Sequence, residues 1–148
     1  MPAEVWLIAN PEAGRGRGVR HASQAAAALG AADVPCRLLL PAGPDEATAA
    51  ARAAQEAGAR AVVACGGDGT VHAVLQAMVG SPVPMGILAG GSGDDVAANL
   101  DFATGGAPAV VAALGALVTA GDTRQVDVAR ARAADGATTA CGTANARS

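Results

Sequence analysis

"VVACGGDGTVHAVLQAM", Val62 to Met78, is the stretch that decides the fold. A short apolar run ends in two glycines, an aspartate and a third glycine. Thr70 follows, and then Val71, Val74, Leu75, Met78 and Val79 fall on one helical face. The reading is strand, glycine turn, helix. Such a turn brings backbone amides close to a guest without Cβ in the way. It also aims the positive end of the helix at one point, and phosphate is the natural guest there. The turn is neither a Walker A loop nor a GxGxxG fingerprint. Asp68 is its informative feature, because a carboxylate beside an anion repels it unless a cation or a hydroxyl stands between. Three roles are open to it: holding Mg²⁺ directly or through water, accepting from a ribose or substrate hydroxyl, or capping the helix. Thr70 has the same choice between cap and phosphate contact.

Working outward, the same unit recurs. "EVWLIAN" (Glu4 to Asn10) reads as a buried strand ended by Asn-Pro, and "PEAGRGRG" is a glycine-rich loop. Val19, Ala22, Ala26 and Leu29 then recur at helical spacing, and Gly30 can stop that helix. "VPCRLLL" is a second strand. "PDEATAAARAAQEAG" is an alanine-rich helix with Pro44 and acids at its start and Gly58 at its end. "VPMGILA" is a fourth strand, and "GGSGDDVAANL" is another glycine loop opening a helix. Val110, Val111, Leu114, Leu117 and Val118 mark a further helix, and "RQVDVARARA" a last strand. Strand and helix alternating in this way predict an α/β fold, a parallel sheet with helices on both faces. Ligands of such sheets bind at the carboxyl ends of the strands. Three glycine-rich loops fall there: Asn10 to Gly18, Gly66 to Thr70 and Gly90 to Asp95. The stretch from Ala133 to Ser148 is small, polar and aperiodic, and reads as a loosely ordered tail.

Composition narrows the function classes. The chain has 148 residues, enough for one domain with a real core. Half of it is apolar but mostly alanine, with one Trp, one Phe and no Tyr, so helices can approach strands closely. A net charge of −3, with no basic face and no stacking aromatics, argues against nucleic-acid binding. The one basic cluster, Arg15, Arg17 and Arg20, is either a solvated helix start or a neighbour of phosphates. Cys36, Cys65 and Cys141 are odd in number and show no metal spacing, which suits free thiols in a reducing compartment. The N-terminus carries no signal-peptide pattern, and the expected location is the cytoplasm.

"GGDGTV" (Gly66 to Val71) resembles the glycine-aspartate-glycine motif of the diacylglycerol kinase catalytic domain. "NPEAGRGRG" (Asn10 to Gly18) resembles that family's N-P-x-x-G-x-G loop after the first strand. "MGILAGGSGDDVAANL" (Met85 to Leu100) resembles its L-G-I-L-P-x-G-T-G-N-D segment, and "VDVARA" the strand that leaves the first domain. The resemblance runs from about residue 4 to about residue 132, with the motifs in family order.

It implies a three-layer, Rossmann-like nucleotide-binding domain of the NAD kinase and diacylglycerol kinase superfamily, over residues 1–132. It implies an ATP site at Asn10, Pro11, Gly14, Gly66, Gly67, Asp68, Gly69, Thr70 and Ser92, with Mg²⁺ at Asp68 and Asp95. The implied reaction is transfer of the γ-phosphate of ATP to a lipid hydroxyl, of diacylglycerol or sphingoid type, at a membrane surface.

The sequence departs from the family pattern in several places. His72 and Ala73 stand where the family has Asn-Glu, Ala89 replaces a proline, and Asp94 replaces the asparagine before Asp95. The family continues into a β-rich second domain that carries the general base and much of the lipid pocket, and "GATTACGTANARS" lacks its strand pattern. The expectation is therefore a nucleotide-binding half, incomplete for catalysis by itself. An uncovered last strand, about Gln125 to Ala131, would invite pairing with a second copy or with a chain supplying the β-rich part. The competing readings are a non-catalytic nucleotide-binding or interaction module, and an NAD kinase-like protein.

Overall fold

The structure is a computed structural model that describes residues 3–12, 16–31, 33–89, 125–132, 134 and 138–147. Its elements run β1 (Val5–Ala9), α1 (Arg17–Ala31), β2 (Cys36–Leu39), α2 (Pro44–Glu56), β3 (Ala61–Gly66), α3 (Asp68–Met78), β4 (Met85–Ala89), β5 (Gln125–Arg132) and β6 (Thr138–Arg147).

Four strands form a parallel sheet in the order β2-β1-β3-β4. Residues alternate between its two faces, as the pleat requires. Val5, Leu7, Ala9, Ala61, Val63 and Cys65 pack on one side with Ala22, Ala25 and Leu29 of α1. Trp6, Ile8, Val62 and Ala64 pack on the other with Ala47, Ala51 and Ala54 of α2 and Val71, Val74 and Met78 of α3. Three layers result, as the sequence predicts. Topology explains the sorting. The chain leaves β1 outward to β2 and then returns past β1 to β3. Crossovers of one hand that reverse direction put their helices on opposite faces.

The two helices on the second face are tied side by side. The Thr48 hydroxyl donates to the Ala73 carbonyl at 2.7 Å, and the Gln55 side-chain amide donates to the Ala77 carbonyl. At the pole of the sheet where β1 begins, the Arg37 guanidinium lies 4.8 Å from the Trp6 ring centre. It pairs with Glu4 at 3.2 Å.

Helix ends show one success and one correction. Gly58, at φ 69°, ends α2 as expected. The Ala59 N–H reaches the Ala54 carbonyl and the Gly58 N–H the Gln55 carbonyl, the paired bonds of a Schellman turn. Gly30 does not stop α1, which runs on to Ala31. The left-handed position there is Asp33, at φ 59°, with Val34 N–H bonded to Leu29 O and Asp33 N–H to Gly30 O. The same motif is built with an aspartate, whose short side chain tolerates that conformation better than most.

The expected tail is also corrected. Residues 138–147 form β6, which pairs antiparallel with β5 through a register shift between Val126 and Val128. The sequence pattern hides it because the strand is made of small residues with little apolar alternation, and the partner strand supplies its hydrogen bonds. β5 is accordingly covered on one edge by its own chain. β6 also lies against α3. The third glycine loop, Gly90 to Asp95, and the helix expected around Val110 to Val118 lie outside the described residues. Among the described residues, no helix is long and apolar enough to cross a membrane.

Candidate functional site

The site follows from the strand order. The chain departs from β1 to one side and resumes at β3 on the other, so the carboxyl ends of β1 and β3 flank the point where the order reverses. In open parallel sheets this is where a crevice forms between diverging loops. Ala9 and Cys65 are register partners on the last rung of that pair, and Gly66 pairs with Ala89 on β4. The segments that follow β1 and β3 therefore start side by side.

The bend after β3 is tight. β3 ends at Gly66, and Gly67 is already the N-cap of α3, in extended conformation. A glycine N-cap has no side chain to bond the first amides of the helix. The ladder begins with the Val71 N–H donating to the Gly67 carbonyl at 3.1 Å. The amides of Asp68, Gly69 and Thr70 precede that bond and have no acceptor within the helix. The positive end of the helix dipole lies at the same place.

Asp68 is the first residue of α3 and half-buried, where an acid is favoured by the dipole. Gly67 holds the N-cap position, and Asp68 follows it as the first helical residue. Gly69 is exposed, and a Cβ built on it meets nothing within 4 Å among the described residues. No contact among the described residues demands glycine there.

Thr70 is the one polar side chain in the core of the described residues, at 6% exposure. Its hydroxyl has no hydrogen-bond partner among the described residues. A buried hydroxyl without a partner is costly, so a ligand group there would find a donor already stripped of water. His72, one turn after Asp68, is exposed.

On the β1 side, Asn10 shapes its own loop. The Glu12 N–H donates to Asn10 Oδ1 at 2.9 Å, an Asx turn over exposed Pro11. Its side-chain oxygen is thus used for the turn. Gly16, at φ 84°, brings the chain into α1 through a conformation that favours glycine.

The two segments meet at Gly18, in the first turn of α1. A Cβ on Gly18 would stand 3.0 Å from the Cys65 carbonyl oxygen and 3.3 Å from the Gly66 Cα. Helix α1 rests directly on the end of β3. Sequence reasoning places Gly18 at the edge of the first loop and gives it no role. Cys65 is a small buried strand residue, and burial pushes its thiol up to about 12.

The structure thus brings Asn10, Pro11, Gly66, Gly67, Asp68, Gly69 and Thr70 to the ends of adjacent strands. Gly14, Ser92 and Asp95 lie outside the described residues. The residues present suit a magnesium nucleotide. No group of three or more metal-binding side chains occurs among the described residues. Magnesium, however, is commonly held by one or two carboxylates together with waters and the phosphates of its nucleotide. One carboxylate beside helix-start amides and a buried hydroxyl matches that habit.

A family model, the diacylglycerol kinase catalytic domain, matches residues 4–131. Diacylglycerol kinases of two Mycobacterium tuberculosis strains, CDC 1551 / Oshkosh and ATCC 25618 / H37Rv, are each 33% identical over 101 residues. The match covers 68% of this chain and 33% of each relative, so the chain spans about a third of the length of the relatives it matches. A solved structure of a diacylglycerol kinase from Bacillus anthracis str. Sterne superposes with a TM-score of 0.65 at 23% identity, over 84% of this chain and 44% of its own. Another from that organism has a TM-score of 0.66 at the same identity, over 84% and 42%. At that identity the structural likeness bears on the fold.

Proposed function

This chain belongs to the diacylglycerol kinase catalytic domain family, and from that premise we propose that it is the ATP-binding part of a lipid kinase. It would take Mg·ATP in the crevice between the ends of β1 and β3. The observation that carries this reading is the start of α3: a glycine N-cap, a carboxylate at the first position and a buried hydroxyl at the third.

Each described residue has a defined task. The Asp68, Gly69 and Thr70 amides would bond phosphate oxygens, in the manner of a helix N-terminus. The Thr70 hydroxyl would add a donor to the same group. Asp68 would hold Mg²⁺ directly or through water, and the ion would offset the repulsion between that carboxylate and a phosphate. The metal ion, when bound, neutralises charge on the transferring phosphoryl group. Asn10 and Pro11 turn the chain at the end of β1, on the opposite side of that crevice. Ser92 and Asp95 are assigned to the phosphates and the metal by the family resemblance alone. The acceptor is a lipid hydroxyl, of diacylglycerol or sphingoid type, met at a membrane surface. The free thiols of Cys36 and Cys65 suit a reducing compartment, and we assign the protein to the cytoplasm on that ground.

Calorimetric titration with ATP, with and without Mg²⁺, tests the reading. Binding should require the metal, and Asp68→Ala should weaken it by about tenfold or more, the loss of one charge-assisted contact. A lipid phosphorylation assay with diacylglycerol and a sphingoid base on the same sample then identifies the acceptor. Absence of nucleotide binding at millimolar concentration would refute the assignment and favour an interaction module that kept the fold.

A further inference from the structure

We infer that Gly18 is a positioning residue of the proposed nucleotide site: its missing side chain sets how closely the start of α1 seats on the bend after β3. The inference rests on the nucleotide-binding reading and names a residue through which that site is held in register.

Gly18 is not glycine for conformational reasons. It lies inside α1, and its φ is not in the left-handed region. Space explains it. The nearest atoms to its absent Cβ are the Cys65 carbonyl oxygen at 3.0 Å, the Gly66 Cα at 3.3 Å and the Cys65 carbonyl carbon at 3.6 Å. All three are backbone, so none can swing away as a side-chain tip would. An alanine must push α1 and the bend apart by a few tenths of an ångström. Gly30, in the same helix, meets nothing within 4 Å among the described residues.

The place of the contact decides what the push would do. Below it, β1 and β3 are held by register pairs from Val5↔Ala61 to Ile8↔Ala64 and by a fully buried core. Cys65 belongs to the last rung. A displacement there is taken up by the segments beyond, which are the first turn of α1 and the Gly67 to Thr70 amides. Both segments border the crevice between the ends of β1 and β3 in which the nucleotide is proposed to bind. Catalytic and binding sites lose affinity steeply when their groups move by fractions of an ångström. Gly18 therefore acts through the bend and need not touch the ligand.

The test compares Gly18→Ala with Gly30→Ala, each followed by circular dichroism, thermal melting and Mg·ATP titration. Gly18→Ala should keep its helix and strand signal and a cooperative melt, yet bind Mg·ATP about tenfold more weakly or worse. Gly30→Ala should bind as wild type. Equal binding by wild type and Gly18→Ala overturns this inference and leaves the nucleotide reading intact. Absence of binding by the wild type overturns both.

Should Gly18→Ala fail to fold, hydrogen exchange of the wild-type chain decides. Mg·ATP should protect amides 16–19 and 67–70 together over one concentration range. Protection of 67–70 with 16–19 unchanged overturns the inference.

Discussion

Replacing Thr70 with valine should make the protein more stable and a poorer binder at once. The side chain is 6% exposed, at the third position of α3, and its hydroxyl has no hydrogen-bond partner among the described residues. Leaving a hydroxyl buried and unpaired costs about 1–3 kcal/mol. Valine keeps the shape and the β-branch, so helix propensity and packing change little. The ligand-free protein should gain about 1 kcal/mol, which for a chain of this size raises the melting temperature by roughly 2–4 °C. The nucleotide complex should move the other way. A hydrogen bond from the hydroxyl to a phosphate oxygen is charge-assisted and contributes about 1.5–3 kcal/mol. Its loss weakens Mg·ATP by roughly 10- to 150-fold. Urea unfolding without ligand and calorimetric titration on the same two proteins measure both signs. A ligand-free Thr70→Val that is less stable would mean the hydroxyl is already satisfied within the protein. Unchanged affinity would mean that it does not reach the phosphates. Either result refutes the reasoning.

Asp33 occupies a left-handed position, at φ 59°, that Gly58 fills in the equivalent turn of α2. Asp33→Gly should therefore stabilise the protein by about 0.5–1 kcal/mol, relief of backbone strain less the extra freedom of the unfolded chain; urea midpoints decide, and a loss of stability would count against the strain. Burial pushes the Cys65 thiol up to about 12 in the folded chain, against 9.0 for an exposed thiol. The folded state keeps this proton longer, so the contribution is intact below pH 9 and is lost as pH rises from 9 toward 12, by about 1 kcal/mol per unit. The sequence has no lysine and no tyrosine, so few other groups titrate in that window. Cys65→Ala should flatten the alkaline slope of stability, and an unaltered slope would show that the burial does not govern it.

Much of the candidate site is legible in the sequence because it is written in one dimension. "GGDGTV" is a strand end, a turn and a helix start within six residues, so the amides of Asp68 to Thr70 are brought together by local geometry. Asn10 and Pro11 are legible for the same reason, as an apolar run closed by a turn. Gly58 announces its helix end because the left-handed conformation favours glycine. Asp33 does not, since aspartate is common in polar loops whatever backbone conformation they take. Strand β6 escapes the sequence pattern for a related reason: small residues without alternation carry little signal until a partner strand stands beside them.

By itself the sequence determined the α/β class and the places where strands give way to glycine turns. These follow from hydrophobic periodicity and from the conformations open to glycine, both properties of neighbours along the chain. Only the tertiary structure decided that β1 and β3 lie side by side, that Gly18 seats α1 on the Cys65 carbonyl, and that Thr70 is sealed from water. Those are contacts between residues far apart in sequence, settled by strand order and close packing, and no local pattern records them.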